Sequence, residues 1–156
     1  MPQLNAPKIT PFLWFDADAE AAAKMYTAIF ENSRITDTSR VGDKVMSVSF
    51  ELSGQRFMAL NGGPHYQLSP AFSMYVSVET QAELDRTWDA LLAGGGKPTR
   101  CGWLVDRYGL SWQVIPTVLG QLMSDPEPGR SSRAVQAMMG MMKLDIAELE
   151  RAANGG

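Results

Sequence analysis

Residues 54–60 read Gly-Gln-Arg-Phe-Met-Ala-Leu, and 55 positions later residues 109–115 read Gly-Leu-Ser-Trp-Gln-Val-Ile. In both runs the glycine follows an acidic residue by three positions, which favours a tight reversal between antiparallel strands. Residues 46–52, just before the first run, alternate Met, Val, Phe and Leu with Ser, Ser and Glu, the period-2 pattern of a strand with one buried face. Each half of the chain is therefore predicted to end in a β-hairpin.

A helical pattern precedes each hairpin. Asp18 is a predicted N-cap, and 62 positions later Thr80 and Glu83 form a predicted capping box. Apolar residues then recur at i, i+4, i+7 and i+8: Ala22, Tyr26, Ile29 and Phe30 in the first copy, and Leu84, Trp88, Leu91 and Leu92 in the second. With leading strands at 9–15 and 72–78, the chain contains the same strand, helix and hairpin order twice.

The domain organisation follows from this repeat. A chain of 156 residues, 45% of them hydrophobic, is expected to form one domain, 1–156. Module one spans 9–62 and module two 71–117, joined through the glycine- and proline-containing segment 61–70. Asp145 and Glu148 form another predicted capping box, so a tail at 130–153 is expected to add two small helices. The fold class is α+β.

The composition restricts the partners of the chain. A net charge of −3 without a basic run gives nucleic-acid binding no electrostatic source. No stretch approaches the roughly 20 apolar residues of a membrane span, and the first residues lack a secretion pattern. The single cysteine, Cys101, agrees with a reducing compartment. We therefore expect a cytoplasmic protein without nucleic-acid or membrane binding.

Four segments closely resemble a known family: 9–16, 57–64, 101–104 and 108–116. They resemble the PhnB-like branch of the glyoxalase, bleomycin-resistance and extradiol-dioxygenase superfamily, also called the vicinal-oxygen-chelate superfamily. Members of that branch often carry the description demethylubiquinone methyltransferase. The resemblance implies tandem βαβββ modules that form a curved, mixed eight-stranded sheet around a cleft, and frequently a homodimer. Whether the modules pair within one chain or exchange across a dimer stays open.

The resemblance also implies where a metal would be held. In metal-dependent relatives, His and Glu ligands lie on the leading and last strands of each module. The corresponding positions here are Pro11, Met58, Ser73 and Gln113. None of these side chains binds a hard or borderline divalent cation well. We therefore expect no metal and no cofactor.

Without a metal, the expected cleft is apolar with a few polar groups. Ser73, Tyr75 and Gln113 would orient a flat or apolar ligand. The alternative is that the same side chains fill the sheet interior as core. The predicted lining residues are Leu13, Phe15, Met58, Leu60, Ser73, Tyr75, Cys101, Trp103, Gln113 and Ile115.

Other residues of interest have structural interpretations that we prefer. Cys101 is expected to be a small buried hydrophobe rather than a reactive thiol. His65 is expected to be a solvated loop residue rather than a base. Glu51 and Asp106 stand at matching turn entries, which favours hairpin formation over acid–base chemistry.

The function predicted from the sequence is small-molecule binding with an unknown reaction. Glycines 94–96 follow a helix rather than a strand, so they form no methyl-donor loop, and a methyltransferase is not expected. One alternative is a resistance protein that sequesters a drug or toxin without turnover. Another is a metal-dependent lyase or dioxygenase that uses other ligands, such as His65 and Glu51. Because no residue set defines a reaction, the catalytic residues are unknown and enzymatic activity stays open.

Overall fold

The computed structural model describes residues 7–156, which form two compact units. The first unit ends at Leu68 and the second extends from Ser69 to Gly156. This boundary falls within the segment 61–70 that the sequence identified as the connection between copies. Whether the two units act as one domain stays a prediction.

The first unit has βαβββ order. Its elements are β1 (Phe12–Phe15), α1 (Ala19–Ile29), β2 (Arg34–Val41), β3 (Lys44–Leu52) and β4 (Gln55–Asn61). The strand order is β1-β4-β3-β2, with β1 parallel to β4 and the other neighbours antiparallel. Helix α1 carries the chain from β1 to β2 at the opposite edge of the sheet, and two reversals, the second of them the predicted tight turn between β3 and β4, bring β4 parallel to β1.

One face of this sheet forms the core of the first unit. Val48, Phe50 and Leu52 are buried, which confirms the period-2 prediction for β3. Phe50 lies 6.4 Å from Tyr26 of α1 and 5.5 Å from Phe57, measured between ring centroids. Burying these aromatic side chains against the helix removes a large apolar area from water and stabilises the unit.

The start of α1 is capped from a distant part of the chain. Asp18 occupies the predicted N-cap position, but its side chain makes no capping hydrogen bond. Instead, the Ala19 amide donates to Asn61 Oδ1 at 2.8 Å, and Asn61 Nδ2 donates to the Val45 carbonyl at 3.0 Å. The end of β4 therefore holds the helix start against the sheet, a contact that no local pattern indicates.

The second unit repeats the order and adds helices. Its elements are β5 (Ser73–Val78), α2 (Gln81–Leu92), β6 (Lys97–Pro98), β7 (Trp103–Val105), β8 (Ser111–Pro116), α3 (Thr117–Met123), α4 (Arg130–Met139) and α5 (Ile146–Ala153). The strand order is β5-β8-β7-β6, the counterpart of the first unit. The predicted caps are confirmed, because Thr80 Oγ1 accepts from the Glu83 amide and Asp145 Oδ1 from the Glu148 amide.

Two details differ from the sequence predictions. The α+β class and the tandem modules are confirmed, but the eight strands form two mixed four-stranded sheets instead of one eight-stranded sheet, because strand pairing stays within each module. Three helices follow β8 where two were expected. The additional helix, α3, begins directly after Pro116.

The Asp106 turn confirms the structural interpretation of that residue. Asp106 is 4% exposed, and its Oδ1 accepts from the amides of Tyr108 and Leu110 at 2.8 and 3.1 Å. Its Oδ2 accepts from Trp112 Nε1 at 2.9 Å. The carboxylate therefore holds the β7–β8 hairpin and ties it to the buried Trp112.

None of the helices within residues 7–156 is long and apolar enough to cross a membrane.

Candidate functional site

One face of the second sheet carries most of the polar residues predicted from the sequence. Tyr75 on β5 lies opposite Gln113 on β8, and Trp103 on β7 lies opposite Gln113 on its other side. Ser73 also points to this face, since it stands two residues before Tyr75. We call the face defined by Ser73, Tyr75, Trp103, Ser111 and Gln113 the second open face.

A hydrogen bond joins the two polar residues at its centre. Gln113 Nε2 donates to Ser73 Oγ at 3.0 Å, and both side chains are half-buried. Tyr75 is 61% exposed beside them. Ile115 has the same strand orientation but is 6% exposed, and its Cδ1 lies against Gly102. Ile115 is therefore part of the packing rather than of the accessible surface.

Ser111 is a polar residue of this face that the sequence analysis missed. It pairs with Ser73 in the strand register and is 1% exposed. Its hydroxyl has no hydrogen-bond partner in the described part of the chain. A buried hydroxyl without a partner costs about 1–3 kcal/mol, so a water molecule enclosed beside it would be stabilised, whereas at 1% exposure Ser111 gives a ligand no direct access.

The first unit divides the predicted residues between two faces. The register pairs Leu13 with Ala59, and Leu13 and Phe15 are 2% and 3% exposed on the core face. Met58 and Leu60 point to the opposite face, where Phe12 and Trp14 are their partners on β1. Leu13 and Phe15 therefore do not share a face with Met58 and Leu60 as the sequence alternation had suggested.

The strand register also changes which residue corresponds to the first of the four metal-ligand positions of the relatives. Because Met58 corresponds to Gln113, its partner Phe12 corresponds to Tyr75, and Thr10 rather than Pro11 corresponds to Ser73. The difference arises between strand and helix. Three residues, 16–18, join β1 to α1, whereas two, 79–80, join β5 to α2. Alignment on the helix caps therefore misplaces the first strand by one residue.

A pocket lies at the corrected position. Its volume is about 170 Å³, and its lining residues are Thr10, Thr36, Ser49, Phe50, Arg56, Phe57 and Met58. We call it the Arg56 pocket. Ser49 and Met58 are direct partners in the β3–β4 register, so this pocket opens on the non-core face of the first sheet.

The residues at these positions do not fit a divalent metal. Thr10, Met58, Ser73 and Gln113 offer two hydroxyls, a thioether and an amide, whereas Mg²⁺, Mn²⁺ and Zn²⁺ need carboxylate, imidazole or thiolate donors. Within residues 7–156, no three His, Cys, Asp or Glu side chains come together in a group that could hold a metal ion.

Glu51 and His65, the alternative metal ligands considered from the sequence, do not belong to a group of metal-binding side chains within residues 7–156. Glu51 Oε2 lies 3.4 Å from Arg34 Nε, and its Oε1 lies 3.8 Å from Arg56 Nε. The carboxylate is therefore already balanced by two guanidinium groups. His65 is exposed in the loop after β4.

Cys101 lies between β6 and β7 and contacts the tail. Its amide donates to the Met141 carbonyl at 2.8 Å, and its Sγ lies 3.7 Å from Met139 Sδ. The residue is half-buried and has a φ of 56°. Cys101 is therefore half-buried rather than fully buried as expected, and its role in ligand binding stays a prediction.

Two βαβββ units in tandem, each with a mixed sheet and a crossover helix, define an α+β protein of the glyoxalase type. A family model described as 3-demethylubiquinone-9 3-methyltransferase matches residues 7–115. The chain belongs to this family, the PhnB-like family, and the resemblance inferred from the sequence is confirmed.

Solved structures agree with this assignment. The PhnB protein from Bacillus cereus is 33% identical, with a TM-score of 0.67 over 71% of this chain and 100% of that chain. Protein PA1353 from Pseudomonas aeruginosa shares the fold at 20% identity, with a TM-score of 0.61 over 71% of this chain and 98% of its own. No curated protein matches the sequence significantly.

Proposed function

We propose that the protein binds a small organic molecule on the second open face, without a hard metal ion. The observation that carries this proposal is the half-buried Gln113–Ser73 hydrogen bond next to the exposed ring of Tyr75. Together these groups offer donors and acceptors that water or a polar ligand atom can satisfy. Tyr75 and Trp103 flank them with aromatic surface.

The chemistry of this face suits a ligand with one neutral polar group attached to a flat or apolar body. The amide and the hydroxyls carry no charge, so they select hydrogen-bonding geometry rather than a charged group. The aromatic side chains provide contact area with little conformational freedom to lose. No histidine, lysine or carboxylate belongs to the second open face, which favours binding over acid–base turnover.

The family description as a methyltransferase receives no support from the glycine run. Gly94 and Gly95 have φ values of 84° and 127° and terminate α2. Glycines that end a helix serve as a C-terminal stop, whereas a nucleotide-type loop follows a strand and opens a helix. This observation supports the proposal that the chain binds a small molecule without transferring a methyl group.

A fragment screen tests the proposed site. Small aromatic amides and alcohols would be screened by thermal shift, and we expect some to stabilise the wild-type protein. The stabilisation should disappear in Gln113→Leu, which removes the amide at similar size, and persist in Gln121→Leu on the exposed surface of α3. Fragments that stabilise Gln113→Leu as well as the wild type would disprove the site.

Elemental analysis tests the metal part of the proposal. We expect purified protein to contain no stoichiometric transition metal and its melting temperature to be unchanged by a chelator. A stoichiometric metal whose removal lowers the melting temperature would refute this part.

Prolonged incubation of a bound fragment, followed by mass spectrometry, separates sequestration from turnover, because sequestration returns the fragment unchanged.

A further inference from the structure

The Arg56 pocket differs in chemistry from the second open face. Its lining includes three hydroxyl-bearing residues, Thr10, Thr36 and Ser49, together with Arg56 and the apolar Met58. No side-chain hydrogen bond engages any of these three hydroxyls within the described residues 7–156. The pocket therefore presents several hydrogen-bond donors that no protein acceptor uses.

Arg56 adds a positive charge that is only partly balanced. Its side chain is 39% exposed, and its one ion pair within the described chain is a 3.8 Å contact with Glu51. Glu51 is shared, because its other oxygen lies 3.4 Å from Arg34. Two guanidinium groups thus share one carboxylate through long contacts that solvent screens, so the charge of Arg56 is only partly neutralised.

A nearby carboxylate outside the pocket opposes the positive charge of Arg56. Asp37 is the β2 partner of Ser49 and is exposed. It is not among the residues that line the pocket. Its negative charge should weaken, but not prevent, the approach of an anion, because exposed charges are strongly screened by water and salt.

We propose that the Arg56 pocket binds an oxyanionic group of a small molecule, a carboxylate or a phosphate. A guanidinium group has donors only, and its planar fork matches the paired oxygens of either anion. Hydroxyl groups complete the site by donating to the remaining oxygens. This inference is independent of the proposed function, because the two sites have no residue in common.

Titration with simple anions tests the inference. Sodium phosphate and sodium acetate would be added at constant ionic strength while backbone amide signals are followed by NMR. We expect saturable shifts at Thr10, Thr36 and Ser49 with at least one of the two anions, and the stronger one identifies the preferred group. Absence of saturable shifts at these amides with both anions would overturn the proposal.

Substitutions separate the pocket from general surface charge. Arg56→Gln should weaken anion binding roughly tenfold or more, as expected when a charge-assisted hydrogen bond is lost. The matched control Arg40→Gln removes an exposed arginine of the same unit that pairs with Glu20, and should leave the affinity unchanged. Asp37→Asn should tighten binding. Equal weakening in Arg56→Gln and Arg40→Gln would contradict the assignment.

A second variant protects the test against a folding defect. If Arg56→Gln loses its dispersed NMR spectrum, the double variant Thr36→Val and Ser49→Ala removes two donors and keeps the charge. We expect this variant to weaken binding and to shift the preference between phosphate and acetate. Unchanged affinity for both anions in the double variant would overturn the role of the hydroxyls.

Discussion

Gly102 stands at a position that demands glycine for two separate reasons. Its φ is 85°, in the left-handed region, and a Cβ there would lie 2.8 Å from Ile115 Cδ1 and 3.1 Å from Leu144 Cδ1. Gly109 has a similar φ of 90° but open space around the Cβ position. Substitutions at Gly102 and Gly109 therefore distinguish the cost of backbone strain from the cost of steric contact at the Cβ position.

We expect Gly102→Ala to cost about 3 kcal/mol of unfolding free energy, the sum of strain and overpacking. Gly109→Ala should cost about 1 kcal/mol, from strain alone. Urea denaturation of the two variants measures both values. Equal costs would show that the contact between Gly102, Ile115 and Leu144 is loose enough to accommodate a methyl group.

Residue roles were predictable from the sequence where they depend on neighbours in the chain. The turn role of Asp106 followed from its spacing to Gly109, and the polar character of Gln113 and Ser73 followed from their identity. The unpartnered state of Ser111 was not predictable, because it depends on what the fold places around the hydroxyl. The same holds for the contact between Arg56 and Glu51.

At the level of elements, Gln81 connects α2 to the start of α5. Its Nε2 donates to the Leu144 carbonyl at 3.1 Å, and its Oε1 accepts from the Ile146 amide at 2.8 Å. Beside it, Lys143 lies 2.9 Å from Asp85. The last helix is therefore fixed to the module by polar contacts in addition to the buried Leu144 and Leu149.

Gln81→Ala should destabilise the protein by about 2 kcal/mol, since three partly buried hydrogen bonds, to Leu144, Ile146 and Asp85, are lost. Hydrogen exchange at the Ile146 amide gives a local readout and should become markedly faster. Gln121→Ala, an exposed glutamine on α3, is the control and should change neither value. Unchanged exchange at Ile146 in Gln81→Ala would contradict the connection.

The connection between α3 and α4 depends on Asp125. Its Oδ1 accepts from the Glu127 amide at 2.8 Å, and its Oδ2 accepts from Arg130 Nε at 2.9 Å. The Glu127 amide first, and the Arg130 guanidinium second, hold the pKa of Asp125 below its usual value of 3.8. Since the pKa is lowered in the folded state, this contribution to stability is present above that value and is lost as the pH falls through the folded-state pKa.

Asp125→Asn should therefore lower the melting temperature at neutral pH, and the difference from the wild type should shrink at a second, acidic pH below 3.8 as the wild-type carboxyl becomes protonated. Thermal unfolding followed by circular dichroism at the two pH values measures this. Asp43→Asn, in the exposed turn between β2 and β3, is the control. A difference that stays constant with pH would show that the Asp125 charge is unimportant.

Predictions of helices and strands succeeded where periodicity and capping patterns are strong and failed where the element is short. The α1, α2 and β3 predictions followed from 3.6- and 2-residue patterns, and the caps of α2 and α5 were correct. The two-residue β6 and the seven-residue α3 are too short for periodicity to reveal. The β1–α1 connection is one residue longer than the β5–α2 connection, and such a short loop has no periodicity that would reveal the difference.

For the whole molecule, the repeat explains why the two units share a sheet framework and yet carry different side chains at equivalent positions. Equivalent positions carry Arg56 and Ser111, and likewise Met58 and Gln113. The first unit thus presents a cationic pocket and the second a neutral polar face, on the same framework. The two sheets are similar, and a few residue differences on their non-core faces give these faces different side-chain chemistry.

Dimerisation is a prediction that belongs to the whole molecule. The family resemblance implies it, and the tail leaves large apolar side chains in solvent, with Met139 and Met142 53% and 58% exposed. Methionine adapts its shape easily, so neighbouring exposed methionines suit an interface between subunits. We therefore expect a homodimer in which this part of the tail is covered.

Sedimentation velocity at about micromolar concentration should give a mass near twice 17.1 kDa. The double variant Met139→Lys and Met142→Lys places charges in the proposed interface and should weaken association at least roughly tenfold, because buried unpaired charges are costly. Met46→Lys, at an exposed methionine of β3, is the control and should remain dimeric. A wild-type monomer would refute dimerisation, whereas a dimeric tail variant would place the interface elsewhere on the chain.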